Sequence, residues 1–194
     1  MSLEVELKAH IADPLALQGR LEALAGISVA LCELKSDTYL SFKGKDTLFR
    51  MRVEQSGPSF AEMQGTLVFT YKDKSRKEGI EVNDEVEFTS SPDQAESALA
   101  FFLSMGYEVY ITKTKKGYRY TYPFSAFLPP LVIELVEVTG LGWFVEMECI
   151  LEDEGKVSQA KKALLNLLSL LGIKESAIEG EYYMQLLKKK KPEA

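Results

Sequence analysis

The stretch LEVELKAH, Leu3–His10, alternates apolar with charged residues, a pattern typical of a β-strand. Residues two apart in a strand share a face, so Glu4, Glu6 and Lys8 are expected to point the same way, opposite the valine and leucine between them. One short strand therefore presents two like charges followed by an opposite charge. Like-charged pairs with the same spacing recur along the chain and decide the fold.

Like-charged pairs lie two residues apart in five later segments: Arg50 and Arg52, Lys72 and Lys74, Glu85 and Glu87, Lys113 and Lys115, and Glu146 and Glu148. An antiparallel sheet with one solvated face is one interpretation. However, solvated faces usually mix charges of both signs, and like charges repel strongly where water is excluded. A ligand that compensates both signs is the second interpretation, and the pattern alone leaves both open.

The chemistry of the second interpretation is specific. Clustered carboxylates are hard oxygen ligands suited to Mg²⁺ or Mn²⁺, and clustered arginine and lysine bind phosphate oxygens. A polyphosphate carrying a divalent cation requires both sets. If the strands curl so that their charges face inward, helices or another subunit must cover their apolar outer faces.

Patterning and capping signals predict a single α+β domain over residues 1–194. Strands are expected at about 3–11, 37–42, 47–54, 66–74, 79–89, 107–115, 118–124, 131–138 and 143–151. Asp13 and Pro14 open a helix that runs toward Leu24, and Ser91 with Gln94 forms a capping box for a second, which runs to about residue 105. A third helix is expected at roughly 156–171, and a short amphipathic segment, YYMQLL, follows it.

Composition excludes several classes of protein. The 194 residues are 46% hydrophobic and 27% charged, which is typical of a globular chain, and the net charge of −6 argues against a nucleic-acid partner. No apolar run approaches a membrane span and no signal segment is recognisable, so we expect a cytoplasmic protein without a membrane partner. Cys32 and Cys149 are expected to be reduced packing thiols. The lysines at 188–191 are expected to form a solvated tail.

The ordered motifs resemble those of the CYTH superfamily, also called triphosphate tunnel metalloenzymes, and particularly its class IV adenylyl cyclase-like branch. Along the chain they are Glu-x-Glu-x-Lys at residues 4–8, SDTYLSF at 36–42, LFRMR at 48–52, TYK at 70–72, KTK at 113–115, GLGWFVEME at 140–148 and YYMQLL at 182–187. The resemblance spans nearly the whole chain. It implies a closed or nearly closed antiparallel β-barrel, the triphosphate tunnel, with a charged interior and helices packed outside.

The resemblance also implies roles for the charged residues. The metal ligands for Mg²⁺ or Mn²⁺ would be Glu4, Glu6, Glu146 and Glu148. The triphosphate would be bound by Lys8, Arg50, Arg52, Lys72, Lys74, Lys113 and Lys115, and the catalytic residues would be Glu4, Glu6 and Lys8. Glu81, Glu85 and Glu87 are expected to orient the interior bases.

The activity implied is that of a divalent-metal-dependent enzyme acting on a triphosphate, in the first place the adenylate cyclase reaction from ATP to cyclic AMP and pyrophosphate. The alternatives are hydrolysis of tripolyphosphate, thiamine triphosphate or a nucleoside triphosphate, and a noncatalytic module that binds nucleotide or polyphosphate. A small triphosphate-containing molecule is the expected partner, and we expect a homodimer.

One position departs from the family pattern. Such sequences often carry a metal-binding aspartate four residues before the first glycine of GLG, where this chain has Val136. Glu134 shares the strand face of Val136, whereas Glu137 is expected to point away. We infer that Glu134 substitutes as a metal ligand.

Overall fold

The structure is a computed structural model that describes residues 3–42, 48–77 and 80–190, without the side chains of 48, 72–77 and 80–85. Its eight strands are β1 (Leu3–Ile11), β2 (Leu31–Phe42), β3 (Leu48–Gly57), β4 (Gln64–Lys77), β5 (Ile80–Ser90), β6 (Tyr107–Tyr122), β7 (Leu131–Val138) and β8 (Gly142–Leu151). The four α-helices are α1 (Pro14–Glu22), α2 (Ala95–Ser104), α3 (Val157–Leu170) and α4 (Tyr183–Lys190). Among the described segments, no helix has both the length and the apolar content needed to cross a membrane.

The expected fold class, α+β with an antiparallel sheet, is confirmed. The strands follow one another in the sheet in the order β1, β8, β7, β6, β2, β3, β4, β5, and in the described residues no ladder joins β1 to β5. The chain divides into two compact units: a terminal unit, Met1–Cys32 with Lys116–Ala194, and a central unit, Glu33–Lys115. That the chain acts as one domain stays a prediction.

In the terminal unit, the strand alternation expected from the sequence is confirmed. β1 and β8 pair antiparallel, with Glu6 opposite Glu148 and Lys8 opposite Glu146. The alternate residues form the core, in which Val5 and Met147 are buried beneath α1 and α3. Helix α3 turns five small or aliphatic residues toward this core: Ala160, Ala163, Leu164, Leu167 and Leu168. The helices therefore cover the apolar face of these strands, and the carboxylates lie on the other face.

In the central unit, β3 pairs with β4 and β4 with β5, all antiparallel. The apolar face of these strands carries a second core, in which Met51, Leu67 and Phe69 are buried. Helix α2 packs against this core through Leu99 and Phe102. Arg50 and Arg52 flank Met51 in β3, so the core beneath α2 leaves them on the opposite face.

The two predicted helix starts have different outcomes. Asp13 caps α1 as expected: its Oδ1 accepts a hydrogen bond of 3.0 Å from the N–H of Ala16, and Pro14 takes the first helical position. The capping box at Ser91 is wrong, because a 3₁₀ turn over Pro92–Gln94 precedes α2 and the described Ser91 side chain makes no capping hydrogen bond. Proline fixes a φ that suits either kind of helix.

Three segments differ from the sequence prediction. β6 is one continuous strand where two were expected, and Gly117 marks a close strand contact: an added Cβ would lie 2.0 Å from the backbone oxygen of Leu135. β2 begins six residues earlier than predicted. The predicted tail continues α4 as far as Lys190, whose Nζ donates a hydrogen bond of 3.0 Å to the carbonyl of Gly140. Lys191 lies outside the described residues.

The terminal unit also contains a glycine-dependent turn and two buried thiols. The turn between β7 and β8 includes Gly140 and Gly142, with φ of 81° and 97°, values that L side chains rarely adopt. Both cysteines, Cys32 and Cys149, are buried free thiols, as expected. Burial raises the pKa of Cys149, and the neighbouring Glu148 charge adds to this effect.

Candidate functional site

The acidic residues of the terminal unit lie on three neighbouring strands. Lys8 in β1 and Glu134 in β7 both stand opposite Glu146 of β8, while Glu6 stands opposite Glu148. Paired residues in an antiparallel ladder project to the same side and residues two apart share a face, so all five predicted metal ligands lie on one face with Lys8. Glu4 pairs with Ile150 toward the end of the ladder, and Glu4 and Glu6 are both exposed. The binding of a cation by these carboxylates stays a prediction.

Tyr183, the first residue of α4, lies over this cluster. The Nζ of Lys8 lies 5.1 Å from the centre of its ring, and its hydroxyl is exposed to the negative charge of the Glu146 carboxylate. The side chain is buried, and burial raises the pKa of Tyr183, followed by the negative charges of Glu146, Glu6 and Glu134. The phenol therefore stays protonated and can donate to a carboxylate.

The position where the family pattern has an acid is apolar and closed. Val136 is 1% exposed and belongs to a cluster with Val138, Phe144 and Tyr183. The ring of Phe144 meets that of Tyr183 edge-on at 4.9 Å. Glu137 is exposed, which agrees with the expectation that it points away. Glu134 is half-buried opposite Glu146, so it is the acid that β7 offers to this face, and its role as a ligand stays a prediction.

A buried ion network lies at the centre of the basic residues of the central unit. The side chain of Asp37 has no exposed surface and accepts hydrogen bonds of 2.6 Å from Nε and 3.0 Å from Nη2 of Arg52. The Nζ of Lys113 lies 2.9 Å from the second carboxylate oxygen of Asp37. This geometry fixes the planar guanidinium of Arg52 through two parallel hydrogen bonds.

The pKa values in this network show which charges persist. Burial by itself raises the pKa of Asp37, but hydrogen bonds and charge from Arg52 and Lys113 outweigh it and hold the pKa well below its usual value. Burial opposes a charged Arg52, yet Asp37 raises the pKa of its guanidinium overall. The pKa of Lys113 is lowered, first by burial and then, against the attraction of Asp37, by the charges of Lys115 and Arg52.

A second chain of contacts orients Arg50. Its Nη2 donates a hydrogen bond of 3.0 Å to the hydroxyl of Thr70, and that hydroxyl donates one of 3.0 Å to Oε2 of Glu87. The strand registers place Thr70 opposite both Arg50 and Glu87. This geometry agrees with the expectation that Glu87 orients an interior base. The side chains of Glu81 and Glu85 lie outside the described residues.

The remaining predicted phosphate ligands lie on β4 and β6. Lys115 is 6% exposed and adjoins Lys113 on β6. The side chains of Lys72 and Lys74 lie outside the described residues, although their backbone in β4 stands opposite Glu85 and Asn83. The central unit therefore gathers Arg50, Arg52, Lys113 and Lys115 on described strands, and their binding of phosphate stays a prediction.

Sequence reasoning missed four side chains of these two faces: Asp37, Thr70, Arg119 and Tyr183. Asp37 shares its face of β2 with Glu33 and Lys35, whose carboxylate and ammonium lie 3.1 Å apart. Extending the predicted strand back to residue 31 would have revealed this alternation of charges. Arg119 lies between Tyr118 and Tyr120, which pack on the core, so it faces the opposite side of β6.

The acidic face fits a divalent cation by donor type. Four carboxylates on paired strands are the oxygen ligands that Mg²⁺ and Mn²⁺ prefer, and each of them stands directly opposite a like charge. Within the described residues, no three acidic, histidine or cysteine side chains converge at ligand distance. The phenol of Tyr183 and the ammonium of Lys8 lie near these carboxylates.

Solved structures with the same fold come from several organisms. A protein from Pyrococcus horikoshii OT3 has a TM-score of 0.68 and 22% identity, with 97% of this chain and 100% of that chain covered. A candidate adenylate cyclase from Vibrio parahaemolyticus has a TM-score of 0.70 and 18% identity, with 95% and 97% covered. A candidate adenylyl cyclase from Hippeastrum, described as having a dominant triphosphatase activity, has a TM-score of 0.64 and 16% identity, with 99% and 97% covered.

Sequence comparison gives a more direct result than these structural likenesses, whose low identities show the fold alone. No curated protein matches the sequence. The family model of the CYTH domain matches residues 2–183, which is nearly the whole chain and runs from the Glu-x-Glu-x-Lys motif through GLGWFVEME to the start of α4. The chain belongs to the CYTH family.

Proposed function

We propose that this protein binds a triphosphate together with Mg²⁺ or Mn²⁺ and hydrolyses it. The observation that carries the proposal is the buried trio of Arg52, Lys113 and Asp37, in which two cations share one carboxylate. Burying these charged side chains costs free energy that solvent-exposed side chains would not lose. The trio by itself carries a net charge of one positive unit, because two cations face one carboxylate. A bound polyphosphate would add negative charge beside these cations.

The charged residues of the candidate site have the following roles in this proposal. Arg52, held by Asp37, and Arg50, held by Thr70, present guanidinium groups in fixed orientations to phosphate oxygens. Lys113 and Lys115 stabilise the negative charge that gathers on the departing phosphate. In the terminal unit, the cation would be held by carboxylates of the acidic face, and Lys8 would bind a phosphate oxygen beside them. These carboxylates are Glu4, Glu6, Glu134, Glu146 and Glu148. A bound divalent cation would neutralise phosphate charge and lower the pKa of a coordinated water.

The reaction balances as a hydrolysis. The oxygen of a water molecule forms a bond to the γ-phosphorus, and the bond from that phosphorus to the β,γ-bridging oxygen breaks. For tripolyphosphate the products are phosphate and pyrophosphate, and the bridging oxygen leaves as part of the pyrophosphate. The fixed guanidinium groups favour this step because they need not reorganise as charge moves to the leaving group.

The adenylate cyclase reaction is the second candidate. The motifs resemble the cyclase-like branch, and the Vibrio parahaemolyticus neighbour is named as a candidate cyclase. In that reaction the ribose 3′-hydroxyl attacks the α-phosphorus and pyrophosphate leaves. The described charged residues are suited by type to phosphates and a cation, and their described contacts point to none for an adenine, so we place hydrolysis first. The Hippeastrum neighbour, named for a dominant triphosphatase activity, agrees with this order.

A product assay separates these candidates. The protein is incubated with ATP and, separately, with tripolyphosphate under Mg²⁺ or Mn²⁺, and phosphate, pyrophosphate and cyclic AMP are resolved. Phosphate from tripolyphosphate supports the proposal, and cyclic AMP from ATP supports the second candidate. Tight binding of tripolyphosphate by calorimetry without turnover under either metal would instead identify a noncatalytic module.

The acidic residues allow a matched pair of variants. Glu134→Gln removes a proposed ligand from the charged face of β7, whereas Glu137→Gln makes the same change on its exposed side three residues away. We expect Glu134→Gln to lower turnover by about 100-fold, in the range found when a metal site loses a supporting group. Glu137→Gln should be nearly silent, and equal losses in both variants would contradict the assignment. The homodimer and the cytoplasmic location stay predictions.

A further inference from the structure

The segment that leads into helix α4 is joined to strand β1. Ala9 forms an isolated antiparallel bridge with Ile178, and the N–H of Glu179 donates a hydrogen bond of 2.9 Å to the carbonyl of Lys8. The Nε2 of His10 lies 3.2 Å from the Oε2 of Glu179. Backbone and side-chain contacts therefore attach this segment to three consecutive residues of β1, and α4 begins beside Lys8.

Two tyrosine rings, here called the tyrosine pair, lie beside the Lys8 ammonium where α4 begins. The Nζ of Lys8 is 5.9 Å from the centre of the Tyr182 ring and 5.1 Å from that of the Tyr183 ring. Tyr183 is buried and meets Phe144 edge-on, and the N–H of the half-exposed Tyr182 donates a hydrogen bond of 3.0 Å to Oε1 of Gln185. An ammonium group within about 6 Å of a ring centre is attracted by the face of the ring. The tyrosine pair therefore holds one ammonium group through two neighbouring residues.

The tyrosine pair orients the Lys8 ammonium without neutralising its charge. A carboxylate partner, such as Asp37 beside Lys113, cancels the charge of a lysine, whereas an aromatic ring is neutral and cancels none. A lysine side chain is long and flexible, and fixing it before a ligand arrives lowers the entropic cost of binding. Lys8 held in this way keeps its full positive charge for an anion and has less rotamer freedom to lose.

We propose that Tyr182 and Tyr183 are positioning residues for Lys8, so that the start of α4 contributes to triphosphate binding although it carries none of the proposed ligands. This inference rests on the proposed function, because it requires Lys8 to bind a phosphate oxygen. The register of β1 and β8 places Lys8 opposite Glu146, so the ammonium that the tyrosine pair holds belongs to the same face as the proposed cation ligands. Loss of a ring should therefore weaken triphosphate binding only while Lys8 is present.

A double-mutant cycle tests this role at Tyr182, which is 48% exposed and therefore tolerant of substitution. Tyr182→Leu removes the ring but keeps an apolar side chain, Tyr182→Phe keeps the ring, and Lys8→Met removes the ammonium. Calorimetry with Mg²⁺ measures the affinity for imidotriphosphate, a triphosphate analogue whose P–N–P bridges resist hydrolysis. We expect Tyr182→Leu to weaken binding about two- to fivefold, as loss of one cation–π contact predicts, and the conservative Tyr182→Phe to restore it. In the Lys8→Met background, Tyr182→Leu should have no further effect.

The NMR resonances of the Lys8 Hε protons give a readout that needs no ligand. Protons above the face of an aromatic ring are shifted upfield, so these resonances should lie upfield of those of other lysines in the wild type and in Tyr182→Phe, and move downfield in Tyr182→Leu. Equal weakening by Tyr182→Leu with and without Lys8, equal weakening by Tyr182→Phe and Tyr182→Leu, or an ordinary Lys8 resonance would each overturn the positioning role while leaving the proposed function intact. If no protein binds the analogue, both are overturned.

Discussion

Replacing Asp37 by asparagine tests the buried ion network most directly. The side chain of Asp37 is fully enclosed, and its partners Arg52 and Lys113 expose only 15% and 8% of their side chains. Asp37→Asn keeps the shape but removes the charge. Its carbonyl can still accept from one partner, while its amide hydrogens confront the donors of the other.

The magnitude follows from the burial of the two cations. Removing one partner of a buried ion pair typically costs about 3–5 kcal/mol, because the remaining charge stays desolvated without compensation. One of the three contacts to Asp37 survives in the amide, so we expect the free energy of unfolding to fall by about 3 kcal/mol. For a domain of ordinary stability this is a large fraction of the total.

Reversible urea denaturation followed by far-UV circular dichroism measures this loss, with the slope against denaturant checked for constancy. Asp93→Asn, the same substitution at an exposed site of the central unit, is the control and should lower the midpoint far less, because the carboxylate of Asp93 is hydrated and accepts only surface hydrogen bonds. A loss below about 1 kcal/mol in Asp37→Asn, at an unchanged slope, would refute the view that the buried carboxylate compensates both cations.

The fall in the free energy of unfolding caused by Asp37→Asn should depend on pH, with a sign that follows from the pKa of this carboxylate. Because the folded pKa of Asp37 lies below its unfolded value, its contribution to stability is complete above an unfolded pKa of about 3.9. The contribution is lost as the pH falls from there toward the folded pKa. The difference in unfolding free energy between the wild type and Asp37→Asn should therefore be constant near neutrality and shrink below about pH 4. A difference that grows in acid would contradict this assignment.

Three further predictions concern other described residues. The pKa of Lys113 is lowered, so its ammonium loses its proton at a lower pH than an ordinary lysine, and tripolyphosphate affinity should fall on the alkaline side. Lys113→Arg should extend binding, measured by calorimetry, to higher pH, and identical pH profiles in the two proteins would contradict this. Thr70→Val removes the hydroxyl that orients Arg50, so KM for the triphosphate should rise about three- to tenfold, with little change in the midpoint of urea denaturation. An unchanged KM would show that the hydroxyl is not needed. Gly117→Ala should lower the free energy of unfolding by at least about 2 kcal/mol, because the added Cβ would lie 2.0 Å from a backbone atom. Gly19→Ala in α1, where nothing lies within 4 Å of the added Cβ, should instead raise the free energy of unfolding by up to about 1 kcal/mol.

Much of the fold followed from strand alternation, because one face of each strand is buried and the period of two is then unambiguous. Glu6 and Glu148 illustrate this: each was placed on the charged face from its own strand, and the register sets them opposite one another. Where the strand bounds predicted from this alternation were wrong, the reason lies in contacts between strands. Gly117 has the local signature of a turn, but a glycine also permits the close approach of a neighbouring strand, and only the neighbour distinguishes the two.

The candidate site was harder to predict than the fold. Arg52 could be proposed as a phosphate ligand from its spacing to Arg50. Its bidentate partner Asp37 lies 15 residues away, and the sequence does not specify which carboxylate the guanidinium contacts. Tyr183 was visible only as part of a short amphipathic helix. Its packing against Phe144 depends on how α4 docks, which the helical period does not specify.

The two glycines of the turn between β7 and β8 set a limit on what family membership says about chemistry. Gly140 and Gly142 are required by a left-handed backbone, and Leu141 between them packs on the cluster around Val136. The glycines of this family signature therefore have a structural reason, which is the backbone of the turn. A turn that requires glycine for its backbone says nothing about turnover, so GLG identifies the family, whereas activity must be tested at proposed ligands such as Glu134.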